Sequence, residues 1–138
     1  MDEARARKVT AYTRFAQIVV GLMGIVDSLT GVALIFFPQW FFQKIGTFPP
    51  FNQHYEGDLG AYMLAVGIGL VVATPVPENY PWVIRIAALA SLLHAANHLS
   101  GALLSPSVNA WVQTTVIAMT ELLLAAASLG RVTRASIK

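Results

Sequence analysis

Four apolar runs, each about as long as a bilayer is thick, dominate this chain. A spanning helix needs about 20 mostly apolar residues, because the hydrocarbon core is about 30 Å thick and a helix rises about 1.5 Å per residue. The runs cover about Phe15 to Phe37, Tyr55 to Thr74, Trp82 to Leu104 and Ala110 to Gly130. In hydrocarbon every backbone N–H and C=O must find a partner within the segment, so runs of this length fold as helices. The punctuation agrees. Pro38 closes the first run, Pro75, Pro77 and Pro81 bracket the turn after the second, and Ser105-Pro106-Ser107 separates the third from the fourth. At such places a proline ends a helix at little cost. The expected fold class is all-α: one domain, residues 1–138, built as an integral membrane four-helix bundle.

Composition narrows the function. Charged residues are 12% of the chain, against about 25% in soluble domains. Most of them lie in the first 14 residues, the last 8 or the short connectors. There are no cysteines, which excludes thiolate catalysis, disulfide exchange, iron–sulfur ligation and cysteine–zinc sites. The basic balance comes from the two ends, and no basic stripe interleaves with aromatics, so no nucleic-acid partner is expected. The first run is longer than the apolar core of a secretory signal, with no small-residue cleavage site after it, and reads as a retained helix. No phosphate loop, nucleophile elbow or EF-hand pattern is present, so an enzyme is the less favoured reading.

Orientation follows from lysine and arginine in short flanks. Arg5, Arg7, Lys8 and Arg14 precede the first run, Arg85 lies near the second turn, and Arg131, Arg134 and Lys138 follow the fourth run. The opposite side has Lys44 alone. Both termini are expected in the cytoplasm. The longest connector, Pro38 to His54, carries Trp40, Phe41, Phe42, Ile45, Phe48 and Phe51. It reads as a segment lying in the outer interface, or as a lid over an outward-facing cavity.

Polar residues recur on the small-residue side of each run. Stepping by three and four from Ala87 gives Ala90, Ser91, His94, Asn97, His98 and Gly101, with Leu89, Leu92, Leu93, Leu99 and Leu103 opposite. Membrane helices turn small residues to each other and bulky apolar ones to lipid, so this face is expected inside. The first run offers Gln17, Gly21, Gly24, Asp27, Ser28 and Gly31; the second Asp58, Ala61, Tyr62, Ala65 and Gly69; the fourth Thr114, Ala118, Glu121, Ala125 and Ser128. By helix rise, Asp27, His94 and Glu121 fall roughly 15 Å deep, and Asp58 and His98 within about 10 Å of the outer surface.

A buried charge costs at least about 2.5–3.5 kcal/mol at the bilayer centre, so these groups demand an account. Candidate ligand-binding residues are Asp27, Asp58, His94, Asn97, His98 and Glu121. One reading is a proton or small-ligand cavity, since Asp/Glu/His chains form relays in membranes. Another is a divalent-metal site: His94 and His98 are four residues apart on one helix, and Glu121 would complete the shell. The metal ligands would then be His94, His98 and Glu121. Against both stands a structural polar core, in an accessory subunit whose glycine-rich faces (Gly57, Gly60, Gly67, Gly69) dock on a larger membrane complex or a second copy.

Four short spans, the opening HYEGDLGAYMLAVGIGL of the second and the LLHAANHL of the third resemble the DoxX-like group of small bacterial membrane proteins. The resemblance implies a four-helix inner-membrane fold and an association with redox or quinone-linked complexes. It transfers no catalytic residue, and the absence of cysteine departs from any thiol-based role in that group.

Overall fold

Each apolar run forms one helix. The computed structural model describes residues 3–46 and 49–129. Phe48, Gly130, Arg131, Arg134 and Lys138 lie outside them, as do the side chains of Arg5, Arg7 and Lys8. The helices are α1 (Glu3–Phe36), α2 (Pro38–Lys44), α3 (Gln53–Ala73), α4 (Pro81–Leu104) and α5 (Val108–Leu129), with a 3-10 turn at Pro77–Asn79 between α3 and α4. No strand occurs among the described residues. Four stretches, Thr10–Phe36, Gln53–Ala73, Pro81–Leu104 and Val108–Ser128, are long and apolar enough to cross a membrane. Large apolar side chains also face outward: Leu29, Ile86, Leu93, Leu104, Val116 and Leu122 are each more than half exposed. Water would not tolerate so much apolar surface without association, whereas lipid does.

The helix ends follow local chemistry. α1 begins about twelve residues before the apolar run expected from about Phe15. Hydropathy marks the part that fits hydrocarbon; a helix itself continues through Arg14 and its neighbours because long charged side chains are good helix formers. Pro38 ends α1 and starts α2 at the first helical position, where a missing N–H costs nothing. The connector is therefore partly helical: α2 carries Trp40, Phe41 and Phe42, and the Phe42 and Phe51 rings pack at 5.3 Å between centroids. Asn52 Oδ1 accepts the His54 and Tyr55 N–H groups and caps α3. Ser107 Oγ does the same for α5, accepting the Ala110 N–H at 3.1 Å. Such caps satisfy N–H groups that have no partner within the helix.

The chain contains two compact units. The first, Gly21–Val72, holds the later part of α1 with α2 and α3. Here α1 and α3 run antiparallel on a seam of glycines. A Cβ added at Gly31 would lie 2.5 Å from Leu64 N and 2.7 Å from Gly60 O, and one at Gly67 would lie 2.5 Å from Ser28 N and 2.9 Å from Gly24 O. Only hydrogen fits there. Two backbones this close gain dispersion and Cα–H···O contacts, which are main sources of helix affinity where the hydrophobic effect is absent. The α3 face expected from the sequence is turned: Asp58, Ala61, Tyr62 and Ala65 are exposed, while Gly60, Gly67 and Leu70 are buried. Glycines at 57, 60, 67 and 69 lie on both sides of the helix, so small size alone did not select the packed side. Gly57 has open space around it.

The second unit holds α1 as far as Val20 and everything from Ala73 onward. Its central feature is the antiparallel α4–α5 pair. On α4, Ile84, Ala88, Ser91, Ala95, His98 and Ala102 are buried or half-buried; on α5, Ala110, Thr114, Ile117, Glu121, Leu124 and Ser128 are. Both sets alternate steps of four and three, the repeat that keeps one seam facing a partner helix. At the far end of the unit, the Tyr12 hydroxyl donates to the carbonyls of Ala126 and Ala127. Gln17 Nε2 donates to Pro75 O at 2.8 Å.

Candidate functional site: a buried carboxyl in the α4–α5 seam

Two side-chain contacts fix the register of the seam. The Thr114 hydroxyl reaches across to His98 O at 3.2 Å while bonding Ala110 O in its own helix at 2.8 Å. One heptad away on each helix, Ser91 stands beside the Glu121 carboxyl. The pairs 91 with 121 and 98 with 114 belong to one antiparallel register, so the same packing that sets the first sets the second.

Glu121 is the exceptional member of this seam. It is 6% exposed, and its Oε2 has no hydrogen-bond partner. Buried polar atoms are nearly always paired, and one left over calls for an explanation. Its neighbours along α5 are apolar or hydroxyl-bearing, and the hydroxyls are spent on backbone: Thr115 on Trp111 O, Thr120 on Ile117 O, Ser128 on Ala125 O. The carboxyl therefore has Ser91 beside it and one buried oxygen without a hydrogen-bond partner. Ser91 was legible only as a small residue near a histidine. Its pairing with Glu121 appears once both residues are seen at seam positions of the heptad.

The histidines lie along the same helix. His94 Nε2 and His98 Nε2 are 3.1 Å apart, with the rings edge to face at 4.7 Å between centroids. Between neutral imidazoles, one N–H donates to the other's lone pair. His98 is half-buried toward α5, whereas His94 is exposed, one position off the seam residue Ala95. Asn97 is exposed as well, and its carbonyl accepts the Ser100 hydroxyl at 2.8 Å. The small-residue face expected from the sequence is thus two faces: Ala87, Ser91 and His98 are buried or half-buried, and Ala90, His94, Asn97 and Gly101 are exposed.

The remaining candidates are elsewhere. Asp58 is exposed at the start of α3, with its carboxylate 3.5 Å from His54 Nε2. Asp27 is half-buried on α1 within the Gly21–Val72 unit, while His94 and Glu121 belong to the other unit. Among the described residues no group of three or more His, Cys, Asp and Glu comes together as a metal ion requires. The expected ligand set His94, His98 and Glu121 is therefore not assembled: the histidine pair supplies two nitrogens, and the carboxyl sits in the seam opposite Ser91. No family model matches the chain, and no curated protein and no solved structure is similar to it.

Proposed function

We propose that this chain is a multi-pass protein of a bacterial cytoplasmic membrane in which Glu121 serves as an intramembrane binding group for a proton or a small polar ligand. The observation that carries the reading is the carboxyl itself. It is almost wholly enclosed, Ser91 stands beside it, and Oε2 is unpartnered. Ionisable groups within spans are costly, so they persist where they bind or relay something. Ser91 positions the carboxyl; His98, a heptad from Ser91 on the same seam, adds a second polar group on the α5 side. Binding and proton exchange, rather than catalysis by this chain alone, are what such a sparse set of groups can do.

A hydrophobic carbodiimide tests this, because it modifies protonated carboxyls in apolar surroundings. In detergent-purified protein, peptide mass spectrometry should find the adduct at Glu121, falling as pH rises and absent in Glu121→Gln. An unmodified Glu121 at every pH, with the protein folded, would end this reading. The second reading is an accessory subunit, redox- or quinone-linked as the DoxX-like resemblance implies. It has in its favour the outward polar residues of α4, His94 and Asn97, which suit contact with another polypeptide.

A further inference from the structure

The outward face of α4 carries small and neutral polar residues. Ala90, His94, Asn97 and Gly101 are all exposed, and they too alternate steps of four and three. At about 100° per residue they form one ridge, turned roughly a quarter to a third of the circumference away from the α5 seam. A Cβ built at Gly101 meets nothing within 4 Å, so the ridge is open at that end. α4 crosses from Pro81 to Leu104. With the helix centred in the bilayer, His94 lies about 2 Å and Asn97 about 7 Å from the midplane, inside hydrocarbon. The Asn97 amide, with two N–H donors and a carbonyl, makes no side-chain hydrogen bond among the described residues. Lipid tails offer it nothing.

We propose that this ridge is a homodimer interface, occupied by α4 of a second copy across a twofold axis along the membrane normal. The face complements itself. A twofold interface brings each residue near its own equivalent, and the neutral polar groups here, imidazole and carboxamide, each carry both donor and acceptor. No residue of the ridge carries a fixed charge that would meet its like. Ala90 and Gly101 flank the polar pair and let two backbones approach, as small residues do in paired membrane helices. The four–three spacing suits a left-handed crossing of parallel helices. The inference stands apart from the role of Glu121, which faces the opposite helix.

The chain has no cysteine, so single cysteines report the interface directly. Ala90→Cys and Gly101→Cys are expected to form disulfide-linked dimers on mild oxidation in native membranes. Leu103→Cys, on the other side of α4, should form at least tenfold less. Adding Asn97→Leu to Ala90→Cys should reduce the linked dimer at least tenfold. Leucine suits a lipid-facing position, so the fold survives; native mass spectrometry of Asn97→Leu should then give mainly monomer where the parent protein gives dimer. Equal cross-linking at 90, 101 and 103 would overturn the proposal, as would a parent protein that is monomeric by mass. Adducts of Ala90→Cys to a different membrane protein, in place of the dimer, would overturn it in favour of the accessory-subunit reading.

Discussion

At the scale of single residues, a group that serves binding is expected to cost stability. Glu121 was conspicuous in the sequence because a carboxylate inside an apolar run has few structural uses, and the structure puts it at 6% exposure with one oxygen unpaired. An orphaned buried polar atom costs about 1–3 kcal/mol. Methionine has nearly the same length and no polar oxygen, so Glu121→Met should stabilise the folded protein by about that amount. Thermal unfolding in detergent, followed by circular dichroism, would show a raised midpoint together with loss of carbodiimide reactivity at this position. A lowered midpoint would mean that the Ser91–Glu121 contact holds the seam together. Ser91 and Thr114 were less legible than Glu121, since a hydroxyl in a membrane helix usually bonds its own backbone. Their cross-helix roles depend on register, which no single helix encodes.

The elements themselves were easy to find, and their faces were hard. Length, apolarity and proline placed four helices correctly, because hydrocarbon leaves the backbone no other option. Rotation about each axis was a different matter. A helix that is apolar all round has no hydrophobic stripe to read, and small residues mark only that something packs closely. On α5 one small and polar side existed, Thr114 to Ser128, and it is the packed one. On α4 two adjacent small faces merged into a single apparent stripe, and on α3 the glycines flanked the exposed Asp58 and Tyr62 as well as the true seam. The glycine seam between α1 and α3 gives a direct test. Gly31→Ala and Gly67→Ala each place a methyl 2.5 Å from backbone nitrogen, so the helices must separate, at about 1–3 kcal/mol each. Gly57→Ala, with open space around the site, should leave stability unchanged or slightly raised through helix propensity. Equal effects of all three, in the same unfolding assay, would show that close approach at 31 and 67 is not what holds this unit.

For the whole molecule, orientation is written in charge rather than in packing. Lysines and arginines resist translocation when they lie within about 15–20 residues of a span. Arg5, Arg7, Lys8 and Arg14 precede α1, Arg85 opens α4 close after the second turn, and Arg131, Arg134 and Lys138 follow α5, against Lys44 alone on the other side. Four crossings would bring both termini to one side, and this imbalance predicts that side to be the cytoplasm. The connector with α2 is then expected on the outer side. Its exposed Trp40 and Ile45 suit the headgroup level, where aromatic side chains concentrate. Because the chain lacks cysteine, a membrane-impermeant maleimide reads this out position by position. Gln43→Cys and Ser105→Cys should label in intact cells. Asn79→Cys should label only after the membrane is opened. The reverse pattern would invert the molecule and turn the positive ends outward. A mixture of both patterns in one population would mean that the single Lys44 on one side leaves the charge difference too small to fix the first helix during insertion. Adding lysines beside Arg14 should then restore one pattern, since the charge flanking the first helix usually decides the topology of the rest.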